Sequence, residues 1–209
     1  YYFDMDGILQ TGTVIIDKKT YELDTDGSLK GYTPKKKSSK KKSSDKSATS
    51  DKSGTSTAKK SVALTFDDGP SSFTDRLLDC LEENNAKATF FMVGTEIASF
   101  PDEVKRMKKL GCELGNHTYD HKDLATLSSD EISSEIARVD EQLVNLTGEG
   151  ASVVRPPYGS VNDTVKSTVG TPMILWSIDT LDWKTQDVES TVEEVMNNVK
   201  DGSIILMHD

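Results

Sequence analysis

The chain has 209 residues, a formal net charge of −10 and 34% apolar side chains, below the roughly 45–50% typical of a globular domain. The charge is distributed unevenly along the chain: residues 61–209 hold 27 acidic and 12 basic side chains, whereas the lysine-rich stretch at 34–60 carries a net charge of +8. The acidic block is long enough for one hydrophobic core. Its charge argues against a nucleic-acid-binding catalytic body, because phosphate contacts need clustered Lys and Arg on the folded surface.

An internal repeat occupies residues 1–33. The segment YYFDMDGILQ at 1–10 returns twenty residues later as YELDTDGSLK at 21–30. Asp-Gly is a tight-hairpin signal, because Gly accepts the positive φ of the turn, and a 20-residue period of hairpins is typical of a solenoid. The pattern resembles the cell-wall-binding repeats (choline- and glucan-binding type) of Gram-positive surface proteins. That resemblance implies a cell-wall polymer as partner; a structural hairpin stub without a ligand is the alternative.

A Lys/Ser/Thr-rich segment at 34–60 predicts a disordered linker, since low hydrophobicity and like-charge repulsion keep such a chain extended. We therefore expect a small β-hairpin repeat module at 1–33, the linker at 34–60 and a folded domain at 61–209. The chain opens on Tyr1 and ends directly after an apolar strand, so we expect a fragment cut at both ends. The longest apolar run is far below the ~20 residues of a membrane span, so no span is expected.

Strands and helices alternate through residues 61–209. Apolar runs predict strands at 62–66, 88–93, 112–116, 152–155, 173–178 and 203–207. Helical periodicity predicts helices at 73–81, 101–110, 128–146 and 192–199, the second with Pro in its first turn and the third with a Ser128/Glu131 capping box. Apolar strands separated by helices indicate an α/β fold, either a parallel sheet or a β/α barrel.

Polar side chains cluster directly after the predicted strands. In β/α folds the carboxyl ends of the strands form one rim, where sites gather. All three histidines of the chain are in this set. In strand order, the set consists of Asp67 and Asp68, then His117 and His121, then Arg155 and Tyr158, then Asp179, and finally His208.

His117 and His121 have the spacing of a metal-binding pair. If the segment turns helically, both imidazoles face the same way, as a borderline metal such as zinc needs. Asp68 then supplies a third, anionic ligand and leaves positions open for water. Because neighbouring side chains of an extended chain point apart, Asp67 and Asp68 should have different roles. One should bind the metal while the other faces the reacting water. A Ca²⁺ loop is the competing interpretation, although it usually needs more closely spaced oxygens.

Five motifs follow one another along the chain: Thr65-Phe66-Asp67-Asp68-Gly69-Pro70, His117-x-x-x-His121, Arg155-Pro156-Pro157-Tyr158, Asp179-x-x-Asp182-Trp183 and Leu206-x-His208. Taken in order, they resemble the motifs of the polysaccharide deacetylases (NodB homology domain, carbohydrate esterase family 4). This family includes peptidoglycan N-acetylglucosamine, chitin and nodulation-factor deacetylases. The resemblance covers residues 61–209 and implies a distorted (β/α) barrel of parallel strands, lacking the C-terminal strand and helix of the family domain.

The resemblance also implies roles for single residues. Zn²⁺, or another divalent metal such as Co²⁺, is expected on Asp68, His117 and His121. Asp67 is expected to act as general base and His208 as the general acid that protonates the departing sugar amine. The remaining roles are these: Asp179 orients His208, Arg155 keeps Asp67 ionised, the Tyr158 backbone N–H stabilises the oxyanion, and Trp183 walls the acetyl pocket unless it is a core aromatic. Asp182 is left as a possible surface carboxylate.

The expected function is removal of N-acetyl groups from a cell-wall polysaccharide by an extracellular or wall-associated hydrolase. Peptidoglycan N-acetylglucosamine is the expected substrate, since the repeats favour a wall polymer over chitin. The alternatives are a chitin-oligosaccharide deacetylase, an acetylxylan esterase, and a wall-binding protein whose barrel is inactive. The intact Asp67/Asp68 and His117/His121 pairs argue against the last of these.

Overall fold

The computed structural model describes residues 12–16, 19–23 and 60–209. The chain divides into two compact units, one containing the first two strands and the other containing residues 61–209. In the first, β1 (Gly12–Ile16) pairs antiparallel with β2 (Lys19–Leu23). The two Asp-Gly turns predicted at 6–7 and 26–27 and most of the predicted linker lie outside the described residues.

Six parallel strands form the sheet of the larger unit. Its order is β6-β5-β4-β3-β8-β7, and every neighbouring pair is parallel. Sequential strands are added outwards from β3 on one side, and the chain then crosses to the other side of β3. The strands are β3 (Ala63–Asp67), β4 (Thr89–Met92), β5 (Glu113–Asn116), β6 (Val153–Val154), β7 (Ile178–Asp179) and β8 (Ile204–His208).

Helices connect these strands, as the alternation predicts. None of the helices in the described part of the chain is both long and apolar enough to cross a membrane. The helices are α1 (Thr74–Glu83), α2 (Gly94–Ile97), α3 (Pro101–Leu110), α4 (Ser129–Thr147), α5 (Asp163–Thr168), α6 (Asp182–Thr185) and α7 (Val188–Asn198), with 3-10 turns at Leu124–Thr126 and Pro157–Gly159.

One segment, residues 173–179, reaches both edges of the sheet. At the start of the segment, Met173 forms a parallel bridge with Val154 of β6. At the end of the segment, β7 pairs with β8. The sheet is thereby closed into a distorted barrel, as expected. The prediction of a continuous strand at 173–178 is wrong, because only the two ends of the segment pair with strands while its middle crosses the gap between β6 and β8.

Local signals fix the ends of the two long helices next to the site. Pro101 starts α3 at its first turn, and Gly111 ends it with φ 75°, a conformation that glycine adopts without steric cost. At the start of α4, Ser128 Oγ accepts from the Glu131 N–H while the Glu131 carboxylate accepts from the Ser128 N–H, which is the predicted capping box.

Helix α4 packs on both hydrophobic clusters of the unit. Val139 and Leu143 belong to a cluster with the inner strands, α1 and α3, while Ile132 belongs to a second cluster with Val154 and Val165. All three α4 side chains are fully buried. Since each such side chain contributes about 1.5–3 kcal/mol when buried, α4 is firmly fixed behind the rim of the barrel.

Candidate active site

The carboxyl ends of the central strands bring the predicted residues to one rim. Asp67 at the end of β3 and His208 at the end of β8 are register partners on neighbouring parallel strands. His117 directly follows β5, and Arg155 directly follows β6. Residues of four of the five motifs therefore reach the rim at the ends of the paired strands.

Asp68, His117 and His121 form a candidate metal centre. Their ligand atoms all lie within 4.8 Å of one another, with Asp68 Oδ1 3.4 Å from His117 Nε2 and 3.3 Å from His121 Nε2. Two ligands placed about 2.0–2.1 Å from a tetrahedral metal lie roughly 3.3–3.4 Å apart. The three side chains therefore fit a small divalent cation and leave further coordination positions open.

Both histidines present the nitrogen that a metal needs. His117 Nδ1 lies 2.6 Å from the Arg155 carbonyl oxygen, which only accepts, so Nδ1 carries a proton and Nε2 is the unprotonated nitrogen of the neutral imidazole. Burial and the neighbouring His117 lower the pKa of His121, which favours its neutral form. Burial alone would raise the pKa of Asp68, but His117, His121 and His208 in their charged forms outweigh it and lower the pKa, which favours an anionic ligand.

The two histidines meet through a loop, contrary to the helical turn predicted from their spacing. Thr118 and His121 have φ values of 69° and 52°, in the left-handed region, and the two imidazole centroids lie 5.0 Å apart. Asn116, buried at the end of β5, accepts the Thr118 N–H at 2.9 Å. Gly94 N–H donates to the Thr118 carbonyl at 3.0 Å. The surrounding elements, rather than helical propensity, therefore impose this geometry.

Asp67 and Asp68 both reach His117, so the reasoning from an extended chain is wrong. Asp68 has φ 72°, which turns the chain sharply where β3 ends. His117 Nε2 consequently lies 3.7 Å from Asp67 Oδ2 as well as 3.4 Å from Asp68 Oδ1. The carboxylates still differ: Asp67 is buried and pairs with Arg155, whereas Asp68 is more exposed and also contacts His121.

Arg155 is fully buried and connects Asp67 to the segment that closes the barrel. Its Nη1 donates to Asp67 Oδ1 at 2.6 Å, and its Nε and Nη2 donate to the carbonyls of Ile174 and Leu175. Burial raises the pKa of Asp67 above its ordinary value of 3.8, while His117 and Arg155 offset part of that rise. Asp67 is therefore a better proton acceptor than an exposed aspartate, and its Oδ2 faces His117.

The residue that contacts His208 is Asp182, and the expectation that Asp179 orients it is wrong. Asp182 Oδ1 lies 2.7 Å from His208 Nδ1, and Asp182 Oδ2 accepts the His208 backbone N–H at 2.8 Å. Asp179 instead accepts the Leu181 N–H. Burial alone would lower the pKa of His208, but Asp182 outweighs it and raises the pKa above 6.5. Asp182 is therefore no free surface carboxylate.

The two predicted aromatic residues lie on the rim. Tyr158 is 70% exposed, and its ring lies edge-on to His121, with its hydroxyl 3.3 Å from His121 Nδ1. Trp183 is 57% exposed at the start of α6, next to Asp182, which excludes the core-aromatic interpretation. Both side chains are free to contact a large substrate.

The sequence analysis missed two carboxylates that hold the site loops. Glu135 of α4 is 4% exposed and accepts two backbone N–H groups of the histidine loop. Asp209 accepts from the hydroxyls of Ser71 and Thr74, beyond the turn that carries Asp68. A signal existed for Glu135, because it lies three residues after Ile132 and four before Val139, inside the apolar face of α4.

Comparisons with known proteins agree with this arrangement. The family described as Polysaccharide deacetylase matches residues 54–171. Peptidoglycan-N-acetylglucosamine deacetylase PgdA of Listeria monocytogenes is 42% identical over 151 residues, covering 72% of this chain and 32% of that protein. Peptidoglycan-N-acetylglucosamine deacetylase of Bacillus cereus is 43% identical over 154 residues, covering 72% of this chain and 56% of that protein. The solved structure of peptidoglycan deacetylase PdaC from Bacillus subtilis matches with a TM-score of 0.71 at 38% identity, covering 73% of this chain and 76% of that chain.

Proposed function

The chain belongs to the polysaccharide deacetylase family, and from that premise we propose that it hydrolyses N-acetyl groups of peptidoglycan N-acetylglucosamine. It spans 32% and 56% of the length of the two curated relatives above, both named for this activity. The observation that carries the proposal is that Asp67 and His208 end neighbouring strands beside one set of candidate metal ligands. Asp67 is ion-paired with the buried Arg155, and His208 is hydrogen-bonded to Asp182.

We propose that Asp68, His117 and His121 hold one Zn²⁺, with Co²⁺ as a working substitute. The spacing of the ligand atoms and the bare Nε2 of His117 support this assignment. A bound divalent cation supplies Lewis acidity to the acetamide carbonyl and acidifies water at neutral pH.

Asp67 removes the proton from the attacking water. Its Oδ1 is occupied by the Arg155 guanidinium, so Oδ2 is the oxygen that takes the proton. Arg155 keeps the carboxylate ionised before the reaction, and burial makes it more basic than a solvated aspartate. The backbone N–H of Tyr158 is the proposed donor to the oxyanion, and Trp183 is the proposed wall of the acetyl pocket.

His208 protonates the leaving amine. Its Nδ1 is engaged by Asp182, so Nε2 carries the proton that is transferred. As the C–N bond breaks, the nitrogen takes that proton, and acetate and the free amino sugar are released. An unprotonated amine is a poor leaving group, which is why an imidazolium stabilised by Asp182 suits this step.

The N-terminal repeats and the location of the protein belong to the same proposal. Residues 1–33 would hold the protein on a Gram-positive cell-wall polymer, which places it outside the membrane, where peptidoglycan is. The support is the 20-residue repeat in the sequence and the peptidoglycan substrates in the names of the relatives.

Acetate release tests the proposed activity. The chain, loaded with Zn²⁺ or Co²⁺, is incubated with peptidoglycan, chitin oligomers and acetylxylan. We expect release from peptidoglycan to exceed release from the other two. Faster release from chitin oligomers or acetylxylan would reassign the substrate, and a metal-loaded chain that releases acetate from none of them would contradict the proposed function.

A further inference from the structure

A buried glutamate of α4 binds the loop that joins the two candidate metal-ligating histidines. Glu135 is 4% exposed, between the apolar side chains that fix α4 in the core. Its Oε2 accepts the backbone N–H groups of Tyr119 at 3.0 Å and Asp120 at 2.8 Å. Its Oε1 accepts from Lys122 Nζ at 3.0 Å. A carboxylate is costly to bury unless it is paired, so these contacts explain why the site tolerates the charge.

The two ends of this loop are held differently. His117 is fixed from both sides, because its N–H donates to the Met92 carbonyl at 2.9 Å and its Nδ1 contacts the Arg155 carbonyl. His121 has φ 52°, and its ring lies 29% exposed against Tyr158, an exposed side chain. The position of His121 therefore depends on the backbone just before it, which is where Glu135 binds.

We propose that Glu135 is a positioning residue of the metal site: it fixes the backbone of Tyr119 and Asp120 so that His121 Nε2 points at the same place as His117 Nε2 and Asp68 Oδ1. The inference rests on the proposed metal site at these three side chains. It assigns to α4 a part in setting metal affinity, although no α4 residue touches the ligand atoms.

Two conservative variants separate this role from a general contribution to folding. In Glu135→Gln the side-chain carbonyl oxygen can still accept both N–H groups, and Lys122 remains paired with Asp120. In Glu135→Asp the charge is kept, but the side chain is one methylene shorter and cannot reach both N–H groups. Glu135→Ala removes the acceptor altogether. Glu141→Ala, at an exposed position of the same helix, is the matched control.

Co²⁺ affinity, followed by the visible absorption of the bound ion, is the primary readout, with thermal unfolding of the metal-free proteins measured in parallel. We expect Glu135→Gln and Glu141→Ala to stay within about 3-fold of the unsubstituted chain. Glu135→Asp and Glu135→Ala should bind Co²⁺ about 10–100-fold more weakly, the range seen when a group supporting a metal ligand is removed. In the metal-free Glu135→Asp variant, the Tyr119 and Asp120 amides should exchange with solvent faster, while amides in the middle of α4 stay protected.

Unchanged Co²⁺ affinity in Glu135→Asp would overturn the positioning role, and so would equal weakening in Glu135→Gln and Glu135→Asp. If Glu135→Ala does not fold, the Gln and Asp pair decides the question. An unsubstituted chain that binds no Co²⁺ would instead overturn the proposed metal site itself, so the two failures are distinguishable.

Discussion

The Asp182→Asn substitution removes the negative charge that lies against His208 while keeping the size of the side chain. If His208 donates a proton to the leaving amine, only its protonated form supports turnover, and the rate falls as pH rises through its pKa. The alkaline limb of kcat/KM should therefore move to lower pH in this variant, because Asp182 is what raises the pKa of His208 above 6.5.

The size of the shift follows from the contact. Asp182 Oδ1 lies 2.7 Å from His208 Nδ1, and the two side chains are only 21% and 25% exposed, so solvent screens the pair incompletely. A hydrogen bond to a charged group contributes about 1.5–3 kcal/mol, and one pKa unit corresponds to about 1.4 kcal/mol. The alkaline limb should move down by about 1–2 pH units, since the effect of burial on the pKa of His208 is then opposed only by the smaller effects of Asp68 and Asp67.

Stability should change in a defined pH window. The raised pKa of His208 stabilises the fold fully below the unfolded pKa of about 6.5, and this contribution is lost as pH rises through the folded pKa. Burial alone would raise the pKa of Asp182, but His208 outweighs it and lowers the pKa. The contribution of Asp182 is therefore present above the unfolded value of about 3.8 and is lost as pH falls through the folded pKa. The difference in unfolding free energy between the unsubstituted chain and Asp182→Asn should therefore be largest between about pH 4 and 6.5.

The assay is acetate release from an N-acetylglucosamine oligomer between pH 5 and 10, with the metal-loaded protein. Asp179→Asn is the matched control, because Asn keeps the oxygen that accepts the Leu181 N–H and Asp179 does not contact His208 in the way Asp182 does. A shift in Asp179→Asn with none in Asp182→Asn would refute the assignment of Asp182 and restore the expectation drawn from the sequence.

Three further substitutions or truncations test other parts of the account. His208→Ala should reduce turnover of an acetamide far more than that of an activated aryl acetate, whose leaving group needs no proton; equal losses would mean that His208 does not act as the acid. Gly94→Ala should destabilise the protein by about 1–3 kcal/mol in thermal unfolding, since a Cβ there would lie 2.9 Å from the Tyr119 Cα; an unchanged melting temperature would contradict this packing. Removal of residues 1–33 should reduce retention on Gram-positive wall material, and equal retention would remove the wall-binding assignment.

Local sequence signals predicted the elements whose boundaries depend on neighbouring residues. Helix α3 has the predicted bounds because Pro101 and Gly111 act at its two ends, and the capping box placed the start of α4 within one residue. The buried strands were located through their apolar runs. The positions of Asp67 and His208 on one rim then followed from the parallel arrangement.

Tertiary contacts decided the features that the sequence did not reveal. Asp68, Thr118 and His121 adopt left-handed φ values that non-glycine residues rarely take alone, so the loop shape depends on groups such as Asn116 and Glu135. The i, i+4 spacing therefore correctly suggested that the two histidines lie close together, but the backbone between them is a loop and not a helical turn.

Tertiary contacts also decide which carboxylate, Asp179 or Asp182, contacts His208. The two residues are three apart, with Asp179 ending β7 and Asp182 starting α6. The left-handed φ of 57° at Leu181 turns the chain so that Asp182 meets His208. The conformation of the segment at 173–179, which closes the barrel, could not be predicted from its apolar pattern either. The carbonyls of Ile174 and Leu175 accept hydrogen bonds from Arg155 and not from a neighbouring strand.

The metal content of Asp67→Asn and Asp68→Asn, measured side by side after equilibration with Zn²⁺, tests the central claim most directly. Both substitutions are nearly isosteric and differ by one position, yet only Asp68 contacts both His117 and His121. The account predicts about one Zn²⁺ per chain in Asp67→Asn and loss of the metal in Asp68→Asn. Full occupancy in Asp68→Asn, or loss of the metal in Asp67→Asn alone, would contradict it.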